Sequence, residues 1–252
     1  PDGGSYVVDN NLYAQIQYKI NDFFSLTLGG GLNDYLISSE FNDTSIINLG
    51  YKKLELNNLS IIKNFSLNYA KSKLEINFKL FDGFRNPNVD DMTKIFSKDD
   101  KNVVVPNNNL SPEKVSNYEI ATTYITNKFE LSLNSYLSLI NNAISREFSQ
   151  INNQDSILYD GEIMRVQMNK NIENITIYGF EIFTKSLLAN NYTMDNKVIF
   201  TAGLKSNNDP LAHIAPIQIK NNFKKKIGDS YIALSHTYYG KKDSEDFDLG
   251  GI

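Results

Sequence analysis

Residues 73–80 read Lys-Leu-Glu-Ile-Asn-Phe-Lys-Leu, and this stretch decides the fold class. Leu74, Ile76, Phe78 and Leu80 fall on one side of an extended chain and Lys73, Glu75, Asn77 and Lys79 on the other, because successive side chains of a strand point to opposite faces. A helical period would instead scatter the four apolar residues around its axis. The segment therefore reads as a strand with one apolar and one wet face.

The same period appears on either side of it. Leu12, Ala14, Ile16, Tyr18 and Ile20 alternate with Tyr13, Gln15, Gln17 and Lys19, and Phe24, Leu26, Leu28 and Leu32 continue the pattern. Phe129, Leu131, Leu133, Leu137 and Leu139 repeat it, as do Val198, Phe200, Ala202 and Leu204. About ten strands follow, near residues 6–20, 23–38, 53–69, 73–84, 114–126, 129–146, 172–188, 191–205, 216–226 and 230–240. Turn-forming residues join them in pairs: Asn21-Asp22, Ala70-Lys71-Ser72, Asn127-Lys128, Ala189-Asn190 and Ile227-Gly228-Asp229. The connections between pairs, 39–52, 85–113, 147–171 and 206–215, are long and polar. Short turns at one end and long loops at the other are the asymmetry of an outer-membrane barrel, with the long loops outside the cell. The strands exceed the roughly five or six residues usual in globular domains and reach the about 9–11 that cross hydrocarbon at a tilt. Tyr18, Phe23, Phe24, Tyr69, Tyr124, Phe129, Tyr192, Phe223 and Tyr231 lie beside the short turns, where an interfacial aromatic girdle is expected.

Bulk composition is consistent with this. The chain has 252 residues, 41% of them hydrophobic, and a net charge of −4, an average profile that alternating strands produce as readily as a soluble domain does. There is no cysteine for a disulfide or thiolate site. No apolar run approaches the about 20 residues of a membrane helix, and Pro1 does not open a secretory signal. A mildly acidic chain without a clustered basic face argues against a nucleic-acid partner.

Several short motifs lie on this strand pattern. Phe84-Arg85-Asn86-Pro87 and Asn107-Asn108-Asn109-Leu110 bracket a polar loop, followed by Pro112, Glu113, Tyr118 and Glu119. Further on come Tyr178-Gly179-Phe180-Glu181 and Pro210-Leu211-Ala212-His213-Ile214-Ala215-Pro216. In this order they resemble the FRAP and NPNL boxes, the YGFE pattern and the PLRHIPP segment of TonB-dependent outer-membrane receptors. Asn86 departs from the first box and Asn108 from the second. The resemblance runs from about Tyr6 onward. It implies an all-β fold, an antiparallel up-and-down transmembrane β-barrel in the bacterial outer membrane. Residues 1–252 would be a partial barrel domain supplying about ten strands of roughly 22. An N-terminal plug with its energy-coupling box, and an aromatic-ended last strand, are not found here, so the sequence reads as an internal fragment. The implied partners are outer-membrane lipid, the TonB energy-coupling complex reached through the plug, and a scarce small-molecule nutrient. The commonest cargo in the family is an iron complex such as a siderophore, and no cofactor is implied.

Residue chemistry fits transport better than catalysis. The sequence has no G-x-S-x-G elbow, no H-E-x-x-H helix and no P-loop, and the expectation is a non-enzyme with no catalytic residues and no metal site. The boxes admit two readings. Arg85, Asn86, Asn107, Asn108 and Asn109 could contact ligand from an extracellular loop, or Pro87, Pro106, Pro112 and the Asn run could simply stiffen and turn that loop. Haem receptors place a histidine in this loop, whereas residues 88–106 contain none; Met92 is the one thioether that could replace it. His213 suggests a loop-to-strand junction, and His236, in phase with Ile232, Leu234 and Tyr238, a lipid-facing position. Asp90, Asp91, Asp99 and Asp100, and further on Asp243, Glu245, Asp246 and Asp248, read as solvated loop charge. Glu181 and Lys185 share the lumen-facing side of one strand, with Gly179 leaving space beside Glu181, and Glu181 is expected to join a polar wall network or contact the plug. Two other architectures fit the length: a closed ten-stranded outer-membrane enzyme of the surface-protease type, and a β-rich adhesin or binding module.

Overall fold

A computed structural model describes residues 2–42, 47–99, 101–211 and 213–242. In chain order the elements are β1 (Ser5–Lys19), β2 (Phe24–Glu40), β3 (Lys53–Lys71), β4 (Leu74–Arg85), α1 (Val89–Thr93), β5 (Phe96–Asp99), β6 (Asn102–Val104), β7 (Glu113–Ile125), β8 (Phe129–Phe148), β9 (Ser156–Tyr159), β10 (Glu162–Leu187), β11 (Tyr192–Lys205), β12 (Gln218–Ile227) and β13 (Ser230–Tyr239). The ten long strands lie side by side in the order β1-β2-β3-β4-β7-β8-β10-β11-β12-β13, each antiparallel to its neighbours. This is the up-and-down wall the alternation predicts, and the sheet is open, since β13 does not return to β1. The short turns use residues that accept left-handed backbone: Asn190 and Asn191 have φ of 59° and 63°, and Gly228 has 59°.

Register sorts the two faces. Phe78 on β4 lies opposite Leu67 on β3 and Ile120 on β7, while Lys79 lies opposite Ser66 and Glu119. Apolar residues therefore line up strand after strand on one face, with Phe65 and Phe78 in edge-to-face contact at 6.4 Å. The other face carries Asn77, Lys79, Glu119, Asn134 and Glu181. Followed up β2 and β3, this polar face reaches Tyr35, Ile37 and Leu54, which the long loops cover; the Tyr35 hydroxyl donates to the Pro87 carbonyl at 3.0 Å. The loops thus fold onto the polar face. The apolar face, with Leu74, Ile76, Phe78 and Leu80, is the one the loops leave uncovered.

The long connections depart most from expectation. Residues 85–113 are not structureless: they hold α1 and the β5–β6 hairpin. Asn88 starts α1 with a reciprocal cap, its Oδ1 accepting from the Asp91 amide at 2.8 Å and Asp91 Oδ2 accepting from the Asn88 amide at 3.0 Å. The 147–171 connection holds β9 and the first part of β10, which begins at Glu162 and runs for 26 residues. The lower part of β10 pairs with β11, but its residues Arg165, Val166 and Gln167 pair in parallel with Asn102, Val103 and Val104 of β6.

These loops share one hydrophobic core with the long-loop ends of β2, β3 and β10. Ile37, Leu54, Met92, Val103, Val105, Leu110, Met164 and Val166 are buried together with Phe41, Leu49 and Ile151. They join the β2–β3, β4–β7 and β8–β10 connections into one loop cap. Met92 is fully buried in it, so its thioether packs against neighbours and is not offered to an iron centre.

Candidate functional site

Arg85 ends β4 directly opposite Glu113, which starts β7. Its Nε donates to Glu113 Oε2, and its Nη1 donates to Asp91 Oδ2 at 2.7 Å. The hydrogen bond it donates to Glu113, together with that to Asp91, holds the guanidinium pKa above its ordinary value against the opposing effect of partial burial. Glu113 Oε1 also accepts from the Ile144 amide at 2.7 Å. One arginine thus closes the base of the 86–112 connection onto α1, β7 and β8. Asn86 is committed nearby: its Nδ2 donates to Oδ1 of the buried Asn33 at 2.8 Å, and Asn33 in turn donates to Asn11 at 2.9 Å and to Asp9.

The asparagine box is placed differently. Asn107 Nδ2 donates to the Asn169 carbonyl at 2.6 Å, and its Oδ1 accepts from the Asn109 amide at 2.9 Å, a local turn that leaves Asn108 and Asn109 exposed. Asn107, Asn108 and Asn109 line a cleft of about 660 Å³ at the long-loop end, between the tips of the three connections. Arg85 and Asn86 are not among its lining residues. The structure therefore separates the five candidates into a two-residue strand-end clamp and a three-residue cleft edge.

Residues distant in sequence complete the cleft: Tyr51, Asn142, Gln150, Lys170 and Asn171. Burial raises the Tyr51 phenol pKa, keeping it a neutral hydroxyl. Asn171 is structural, its Oδ1 accepting from the Ser111 amide at 2.8 Å and its Nδ2 donating to the carbonyls of Ser111 at 2.8 Å and Asn142 at 2.7 Å. Asn142 sits within β8 at φ 60°, beside a register shift against β10. The one trace of this in the sequence is the Asn141-Asn142 pair, which breaks the apolar alternation between Ile140 and Ala143.

On the wall, Glu181 pairs with Lys197 of β11 at 2.8 Å. Lys185 is four residues along the strand, about 13 Å away, and takes no part. Gly179 does not leave empty space: the Tyr136 ring lies over it and its hydroxyl is 2.7 Å from Thr201 Oγ1, so a Cβ there would strike that ring and the Phe200 carbonyl. His213 is an exposed loop residue at φ 62°, and the His236 ring is 3.4 Å from the Asn221 amide across β12–β13. Asp90 pairs with Lys94 at 3.5 Å, and Asp99 accepts from the Lys101 and Asn102 amides. Asp100 and the acidic run from Asp243 to Asp248 lie outside the described residues. Among those described, no three His, Cys, Asp or Glu gather as a metal site.

This wall and its loop cap have known counterparts. The copper transporter OprC superposes with a TM-score of 0.72 at 12% identity, over 91% of this chain and 35% of that one. The ferric enterobactin receptor PfeA of Pseudomonas aeruginosa does so at 0.66 and 14%, over 94% and 42%. An FrpB iron transporter from Neisseria meningitidis gives 0.64 and 14%, over 93% and 34%. The chain thus spans well under half the length of each, and at such identities the likeness is one of fold. No curated protein matches the sequence. The family profile described as TonB dependent receptor-like, beta-barrel matches residues 2–251. The chain belongs to the TonB-dependent receptors, as a stretch of their β-barrel.

Proposed function

We propose that this chain forms part of the wall and outer mouth of an outer-membrane transporter that captures a scarce nutrient outside the cell and passes it to the periplasm, without chemical conversion. The nutrient class we assign is an iron complex of the siderophore kind. Energy would come from the TonB complex through a plug domain elsewhere in the receptor. The observation that carries this reading is the loop cap: three long connections, all at one end of an antiparallel wall, share a packed core and enclose a cleft edged by the Asn107–Asn109 box. A partly polar cleft of this size suits a small-molecule ligand. Structures of similar fold named as a copper transporter, an iron transporter and a ferric enterobactin receptor support the same direction.

Removing residues 90–104 as a block would strip Met92 and Val103 from the cap core and test folding as much as uptake. The exposed pair is the better target. In cells making the full-length receptor, Asn108→Ala with Asn109→Ala should reduce energy-dependent uptake of iron complexes while leaving the amount of folded receptor at the surface unchanged. Undiminished uptake would refute a capture role for this cleft.

A further inference from the structure

The chemistry of the cleft says more about its ligand than its position does. Among the described residues lining it, Lys170 is the single charged side chain, and there is no carboxylate and no histidine. The Asn107 and Asn171 amides are occupied by backbone groups. The side chains of Asn108, Asn109, Asn142, Ser149 and Gln150, by contrast, make no hydrogen bond among the described residues and line the same space. Tyr51, Ile151, Met168 and Ile172 supply apolar surface between them.

Such a lining recognises one kind of ligand well. Side-chain amides and a serine hydroxyl both donate and accept, so they can match hydroxyl, carbonyl and amide groups in either sense. They carry no charge to compensate a strongly anionic guest. Moving an anion out of water without a matching cation is unfavourable, and one ammonium cannot balance a ferric catecholate complex, which is multiply negative. Hydroxamates neutralise ferric iron fully, and their complexes present amide and carbonyl groups at the periphery. We propose that this cleft takes an uncharged ligand rich in hydroxyl and amide groups and, among ferric complexes, selects the hydroxamate class over the catecholate class. The inference rests on the transport reading above and specifies its substrate.

The test is equilibrium binding to the purified full-length receptor with three probes: a neutral ferric trihydroxamate, a ferric tris-catecholate and a neutral oligosaccharide. The trihydroxamate should bind at least about tenfold more tightly than the catecholate, a gap of about 1.4 kcal/mol. Its affinity should hardly change with added salt, since screening acts on charge pairs. Asn108→Ala with Asn109→Ala should weaken it about tenfold, and Lys170→Ala should leave it nearly unchanged. Catecholate binding as tight as that of the trihydroxamate, or binding that salt or Lys170→Ala abolishes, would overturn the proposal while leaving iron transport intact. Binding of the oligosaccharide alone would uphold the uncharged-ligand inference and overturn the iron reading. Binding of none of the three probes would overturn the inference.

Discussion

Arg85 shows how a residue inside a recognisable box can be structural in its contacts. Its guanidinium engages two acceptors on different elements, and both carboxylates are mostly covered, with about a fifth of each side chain accessible (Asp91 19%, Glu113 18%). Arg85→Ala would leave each with a single backbone amide donor and no cation, at a cost of about 1–2 kcal/mol, more than a fully exposed pair would lose. Arg85→Lys keeps the charge but loses the forked geometry, and should recover only part of this. Limited proteolysis of the folded receptor should show faster nicking within residues 86–112 in Arg85→Ala, with the wall uncut; equal nicking rates would disprove the clamp. At this scale the asparagine box was legible because turn-forming side chains at a loop exit are a local signal. Lys170, Tyr51 and Gln150 were not, since nothing local marks a polar loop residue whose neighbours come from three separate connections. The pairing of Glu181 with Lys197 was also hidden: it is a cross-strand contact fixed by register, and sequence shows spacing along one strand only.

Among the elements, β4 gives the sharpest test of sidedness. Phe78 sits between Leu67 and Ile120 on the outward face and touches the Phe65 ring. Phe78→Arg should destabilise the barrel by about 2–4 kcal/mol near the bilayer midplane. Lys79 faces the other way, in a half-exposed pair with Glu119 at 3.3 Å, a contact worth about 0–1 kcal/mol, so Lys79→Ala should be nearly silent. Equilibrium unfolding in lipid bilayers reads both, and equal losses would contradict the assignment of faces. The long strands were readable because period-2 patterning and turn residues are local and repeat. The first part of β10 was missed because the polar run Asn169-Lys170-Asn171 looks like a loop, although Met164, Val166 and Met168 already alternate with Arg165 and Gln167 before it. Its partner there, β6, is only three residues long, too short to announce itself.

Across the whole molecule, burial is divided unevenly. The wall exposes large apolar side chains such as Leu12, Ile16, Ile120 and Leu234, because lipid, and not protein, is their expected cover. The loop cap instead buries its apolar residues, packed onto Ile37 of β2 and Leu54 of β3. Met92→Ala should therefore cost about 2–5 kcal/mol and act on the cap and the strand ends beneath it, so that hydrogen exchange in residues 86–112 and 149–168 rises while exchange in β4 and in the short-turn halves of β2 and β3 stays unchanged. A uniform rise would mean that cap and wall unfold as one unit. The cap was the least legible part of the fold, since its core is gathered from three loops and the ends of β2, β3 and β10, none with enough apolar residues to suggest a core alone. Strand β10 belongs to both regions: a continuous run of backbone that is wall against β11 at one end and cap against β6 at the other. The division between these two roles falls where the ladder with β8 loses its register, between Asn171 and Ile175, the kind of irregularity that interrupts pairing without interrupting the strand. Wall and cap are therefore stitched together by one backbone, and neither could be cut away from the chain without severing the strand that pairs the other.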